Sequence, residues 1–165
     1  MDSLVTEMRA EVRGNPQPAR VFAHPDELVA AVGERLGESA WMQVEQARIA
    51  LFADATLDHQ WVHVDAERAQ QGPFGGCIAH GFLTLSLIAP TAMELLVSRV
   101  NPSSVVNYGV DDVRFVTPVR AGQRVRNRLT LKTVKARSGG RYFVTTANSI
   151  EIDGEWKQSG GMSHG

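Results

Sequence analysis

Cysteine is nearly absent: the 165-residue chain carries one, Cys77. A single thiol rules out an internal disulfide and any multi-cysteine zinc or iron–sulfur site, and it points to a reducing cytoplasm. No excess of one charge is present either. Seventeen Lys+Arg against eighteen Asp+Glu leave a net charge of −1, so bulk charge gives no reason to expect nucleic acid as a partner. Long uninterrupted apolar runs are also missing. Residues Met1 to Arg20 scatter charges where an export signal keeps its apolar stretch. The most apolar segment, Phe82 to Val97, contains Pro90 and Glu94. As a helix it would span about 24 Å, short of the roughly 30 Å hydrocarbon layer, and it reads as a core helix, with no membrane partner expected.

What is present is an ordinary globular composition, 43% hydrophobic and 21% charged. The length suits a single domain with a real core and no internal repeat. Asn15-Pro16-Gln17-Pro18 breaks up the start, so residues 1–20 are expected as a short helix or a loose arm. His24-Pro25-Asp26-Glu27 reads as a helix start followed by Leu28, Val29, Val32 and Leu36, with Gly37 as its stop. A short strand is expected over Trp41–Val44 and a helix over Glu45–Ala55. Thr56–Gly76 is polar and rich in turn residues, with Trp61-Val62 favouring extended backbone.

Gly81 to about Arg99 reads as the longest helix, apolar nearly all round and hence buried on most faces, with Pro90 kinking it or falling at a weakened turn. After Asn101-Pro102 the pattern turns to period two. Strands are predicted near Val105–Phe115, Gln123–Arg137, Arg141–Ile152 and from Glu155, with turns at Pro118, Ala121-Gly122, Ser138-Gly139-Gly140 and Asp153-Gly154. In the long strand the basic residues change parity between Lys132 and Lys135, which predicts a bulge near Thr133. One buried helix followed by consecutive hairpins gives an α+β layer in which an antiparallel sheet covers the helix.

Chemistry-bearing residues gather in two clusters. The first runs from Asp58 through His59, Gln60 and His63 to Asp65, and it admits three readings. Asp58 and His63 can converge on one water as an acid–base pair. His59 and His63, at i,i+4, can bind a metal with Asp58 or Asp65, although no zincin-type glutamate follows His59. Or these are solvated loop residues, with His63 satisfied by a backbone partner. The second cluster, Gly72-Pro73-Phe74-Gly75-Gly76-Cys77-Ile78-Ala79-His80-Gly81, enters the long helix. It lacks a Walker lysine and Rossmann spacing. A glycine at a helix start offers an unobstructed N–H at a positive dipole end, the equipment of an oxyanion hole; it also serves a plain tight turn, with His80 capping or packing. Cys77 reads as a small core residue. A third feature is a basic run. Nine Lys/Arg and no Asp or Glu lie between Arg114 and Arg141, fitting either phosphate binding or the solvated outer face of a sheet.

Taken together, the two clusters resemble the MaoC-like dehydratases, the (R)-specific enoyl-CoA hydratases of hot-dog fold. The family pattern of an Asp, four residues, a His, then an Asp, with a His-Gly opening the central helix further on, is met by Asp58, His63, Asp65 and His80-Gly81. Asn107-Tyr108-Gly109, Val113-Arg114-Phe115, Pro118-Val119 and Gly122 match the strand that follows. The resemblance covers about Trp41 to Ile152 and is nearest the branch typified by nodulation protein N.

It implies a hot-dog fold, an antiparallel β-sheet wrapped around a long central helix. It also implies hydration of a trans-2-enoyl-CoA to the (R)-3-hydroxyacyl-CoA, or the reverse dehydration, in fatty-acyl metabolism. Asp58 and His63 would be the catalytic pair, and the Gly81 N–H the oxyanion donor, with Gln60 and His80 as further oxyanion or substrate contacts. No metal and no separate cofactor is implied, since coenzyme A arrives as part of the acyl-CoA thioester, and a homodimer is expected. Two departures stand out: Gln60 replaces a common Asn, and residues 155–165 lack the family's long apolar final strand, with 158–165 expected as a tail. A hot-dog acyl-CoA thioesterase and a non-catalytic acyl-binding subunit are the alternatives.

Overall fold

The computed structural model describes residues 21–155; the expectations for residues 1–20, for the strand beyond Glu155 and for the tail lie outside them. The long hairpin forms as the period-two pattern demands. Strand β3 (Arg124–Arg137) pairs antiparallel with β4 (Arg141–Ile152). The Ser138-Gly139-Gly140 turn joins them, with both glycines left-handed at φ 73° and 68°, where any Cβ would be strained. The predicted bulge is present, with Leu131 opposite Thr146 and Thr133 opposite Thr145, so Lys132 is the extra residue.

Two short strands share the other edge of β3: β1 (Arg35–Glu38) along its middle and β2 (Met42–Gln43) at its start. The first helical stretch therefore ends sooner than its apolar spacing suggests. A 3₁₀ turn covers Pro25–Ala31, capped by the His24 side chain accepting from the Asp26 N–H. Leu36 and Gly37 belong to β1, because Gly33 and Glu34 turn the chain onto Leu131. Helix α1 (Gln46–Thr56) forms as expected. Trp61–Val64 is not extended but a single helical turn, α2, followed by α3 (Ala66–Gln70), which Asp65 caps through the Arg68 N–H.

Helix α4 spans Gly81–Val100. At twenty residues it is about 30 Å long, longer than the core segment expected from the sequence, so its length does not separate it from a membrane span. Its buried stripe is Leu83, Leu87, Thr91 and Leu95, at helical spacing, lying on the inner face of the sheet. Leu83 and Leu87 join Met42, Val44, Ile49 and Val125 in one core cluster, while Leu96 joins Phe22, Leu28, Ala31 and Leu131 in a second. Between the clusters Asn127, fully buried on β3, donates to Thr91 Oγ1 at 2.9 Å and to Asn148 Oδ1 at 2.8 Å. The weakened turn attributed to Pro90 falls at Leu87, and a π-helical stretch follows at Met93–Val97. A proline has no N–H for the carbonyl one turn back, which loosens the helix there.

Burial on most faces is not what α4 achieves, however, since Phe82 and Met93 are exposed. The reason lies in residues 101–118. The predicted strand Val105–Phe115 does not form; Pro102 and Pro118 bracket the segment and Asp112 turns left-handed at φ 52°. It runs irregularly, leaving an open apolar groove between α4, itself and β4.

The basic run lies on the outer face of the sheet and is largely paired. Arg126 and Arg128 each bridge Glu38 and Glu151 at 2.6–2.9 Å, Arg124 pairs with Asp153, and Arg120 meets Glu155 at 3.7 Å. Arg126 also covers the Trp41 ring at 4.7 Å. This is the sheet-face reading of the run, with acids supplied from β1, β4 and the turn after β4.

Candidate active site

The site is assembled where α1, α2 and the start of α4 meet. Helix α1 ends at Leu57, whose φ of 62° is left-handed although it is not glycine. After that reversal Asp58 lies against His80 at the head of α4. Helix α2 delivers His63, which is only 8% exposed. The strand-like segment Cys77–Ala79 is laced on one side to Val119 and Ala121 and on the other to Val62 O, by backbone bonds of 2.7–2.9 Å. This lacing sets His80 and Gly81 at the head of α4.

Asp58, His63 and His80 thereby present a carboxylate oxygen and two ring nitrogens within 4.8 Å of one another. The Nδ1–H of His63 donates to Ile78 O at 2.7 Å. A carbonyl can only accept, so Nδ1 carries the proton and the neutral ring keeps its lone pair on Nε2. His80 Nε2–H donates to the backbone carbonyl of Asp58 at 2.9 Å and stands 3.9 Å from its carboxylate. The His63 and His80 rings stack, centroids 3.7 Å apart and 25° from parallel. Near-parallel rings send their in-plane lone pairs side by side, whereas a tetrahedral ion needs them to converge. The donor set suits proton transfer better than a metal.

His59 is not part of this group. It lies before α2, exposed, and pairs with Asp54 at 2.8 Å, which dissolves the i,i+4 metal arrangement. Gln60 stands exposed at the N-cap of α2, where its carbonyl accepts from the His63 N–H at 2.9 Å while its side chain makes no capping bond. His80, read from the motif as a substrate contact, is 3% exposed and sits behind Asp58 and His63. His63 and Gly81 do line the groove. Gly81 opens α4, so its N–H has no partner within the helix. A Cβ at this position would lie 2.9 Å from the Phe115 ring, so the close approach requires glycine. Phe115 in turn meets Phe82 edge-on at 5.8 Å.

Cys77 is buried, and its thiol is pushed above the usual range by burial and then by the Asp65 carboxylate. That fits a core residue, not a nucleophile. The Ile78 carbonyl and the Phe115 ring were not singled out among the candidate site residues. Every residue offers the same carbonyl, and Phe115 reads only as one aromatic of a strand pattern.

A helix lying along an antiparallel sheet, with an acid and an imidazole at its N-terminal end, is the architecture of a hot-dog hydratase. The chain belongs to the MaoC-like dehydratase family: residues 27–152 match the MaoC like domain. It is an enzyme of the hydratase/dehydratase class. It is 43% identical over 138 residues to a 3-hydroxyacyl-thioester dehydratase Z of Mycobacterium tuberculosis, covering 84% of this chain and 91% of that one. To a nodulation protein N of Rhizobium leguminosarum bv. viciae it is 43% identical over 130 residues, covering 78% and 81%. The fold is shared with an (R)-hydratase from A. caviae involved in PHA biosynthesis, at a TM-score of 0.60, 23% identity, and coverage of 74% of this chain and 86% of that one.

Proposed function

We propose that the protein adds water to trans-2-enoyl-CoA thioesters to give (R)-3-hydroxyacyl-CoA, and runs the reverse dehydration, as a cytoplasmic homodimer in fatty-acyl metabolism. The observation that carries this reading is a carboxylate oxygen of Asp58 within 4.8 Å of a ring nitrogen of His63, with the His63 Nδ1–H tied to Ile78 O. That tie presents Nε2 as the base. Asp58 and His63 hold one water, take its proton as oxygen adds at C3, and return a proton to C2. Charge building on the thioester oxygen is met by the Gly81 N–H at the positive end of α4, a donor of a kind that typically contributes about 3–4 kcal/mol. The 43% identity to a 3-hydroxyacyl-thioester dehydratase favours hydration over thioester hydrolysis.

The test is incubation with crotonyl-CoA, following enoyl absorbance and free thiol together. Loss of absorbance without thiol is the expected result. Thiol release would mark a thioesterase, and no change in either signal a binding subunit. Light scattering at micromolar concentration should give a dimer mass; a monomer would remove that part of the reading.

A further inference from the structure

His80 is the one titratable group at the site that the reaction as written leaves idle, and its surroundings are unusual. Its ring is sealed between Phe52, centroids 5.1 Å apart, and His63, 3.7 Å apart. Its Nε2–H faces only oxygen acceptors of Asp58. That leaves Nδ1 as a bare lone pair, and this atom is buried without a hydrogen-bond partner. An orphaned buried acceptor is costly and needs a compensating reason. A ring kept only for packing could be phenylalanine, like its neighbour Phe52, at no such cost.

Accepting the hydratase reading, we infer that His80 is a positioning residue, whose imidazole holds the Asp58 backbone through Nε2–H while its face sets the plane of the His63 ring. Each partner needs that second restraint. The Nδ1–H bond to Ile78 O fixes the direction of the His63 ring but leaves rotation about that bond, and a stacked neighbour removes it. Asp58 follows the left-handed Leu57, a conformation that a leucine leaves readily unless the next peptide is held. His80 holds the peptide just beyond it, through the Asp58 carbonyl. It therefore ties the acid's loop and the base's ring to the head of α4, the helix that supplies Gly81. A misplacement of about 1 Å in such a constellation costs up to roughly 100-fold in rate.

The test begins on the wild-type protein labelled with ¹⁵N, using long-range ¹H–¹⁵N correlation to read the tautomers. The expected result is His80 protonated at Nε2 and His63 at Nδ1; His80 protonated at Nδ1 overturns the proposal. Three variants then separate donor from ring. His80→Phe keeps the stack and loses the donor. His80→Gln puts an amide N–H near the Nε2 position, and His80→Asn puts it too short to reach. With crotonyl-CoA, His80→Phe and His80→Asn should lower kcat roughly 10- to 100-fold with little change in KM.

His80→Gln, which restores the donor but not the stacked face, should recover part of that loss relative to His80→Asn, with folding followed by circular dichroism. A folded His80→Phe with wild-type kcat, or a His80→Gln no better than His80→Asn, would overturn the proposal alone. A wild-type protein inert toward trans-2-enoyl thioesters would overturn the hydratase reading, and this proposal with it.

Discussion

The His63 imidazole is held on two sides, by Ile78 O at its Nδ1 edge and by the His80 ring against its face. Its partner Asp58 keeps a side chain 42% exposed. The two members of the proposed dyad therefore differ in what their removal does to the fold.

Asp58→Asn replaces a half-exposed carboxylate by a near-isostere, so stability should stay within about 0.5 kcal/mol of wild type. His63→Ala strips a buried ring and leaves Ile78 O without its donor, at a cost of roughly 1–3 kcal/mol. Both should lose hydration of crotonyl-CoA by about 100-fold or more. Thermal unfolding alongside steady-state kinetics checks the contrast. A folded variant of either kind with near wild-type turnover would remove that residue from the dyad.

Gly81→Ala drives a methyl into the Phe115 ring, and Gly81→Pro does the same while also deleting the N–H. The two effects separate in a Phe115→Ala background, where the clash is gone. There Gly81→Ala should turn over nearly as fast as Phe115→Ala alone, and Gly81→Pro should fall roughly 100-fold below it. Proline is otherwise tolerated in the first turn of a helix. Equal rates for the two double variants would show that the N–H is not used.

Leu57 carries a left-handed backbone on an 82% exposed side chain. Asparagine adopts that conformation at lower cost, so Leu57→Asn should stabilise the protein by about 0.5–1 kcal/mol. A melting temperature that stays level or falls would mean that the exposed leucine is needed for another contact.

The Cys77 thiol, raised by burial and by Asp65, titrates higher in the folded chain than in the unfolded one. Its contribution to stability is complete below the ordinary thiol range of about 8.5 and is lost as the pH climbs through and beyond it. Melting temperature should therefore fall more steeply above that range in wild type than in Cys77→Ala. Iodoacetamide at neutral pH should label the native thiol slowly and the urea-unfolded thiol fast. Parallel melting curves would contradict the linkage.

The β3–β4 hairpin was legible in the sequence because alternation, turn glycines and strand length agree, and even the parity change at Lys132 shows in the pattern of bases. Spacing alone left Asp58 and His63 open among three readings; the structure brings a carboxylate oxygen and a ring nitrogen of the two within 4.8 Å. Residues 101–118 were misread because alternating apolar residues predict a strand only if an edge receives them, and Pro102, Pro118 and the turn at Asp112 interrupt the run. The burial of His80 was hidden for another reason. A histidine beside a helix-opening glycine looks the same in sequence whether it faces the substrate or backs the residues that do.

Three polar contacts fasten α4 along its axis. Thr91 receives the Asn127 amide, Glu94 takes the Ala40 N–H at 3.2 Å in the gap between β1 and β2, and Arg99 donates to Leu36 O at 2.8 Å. Sliding the helix by one turn would break all three together. Loosening at Pro90 can bend α4, but it cannot ratchet. The distance from Gly81 to the far end of the groove is therefore a fixed gauge, set by side-chain volume at the groove wall and not by helix travel.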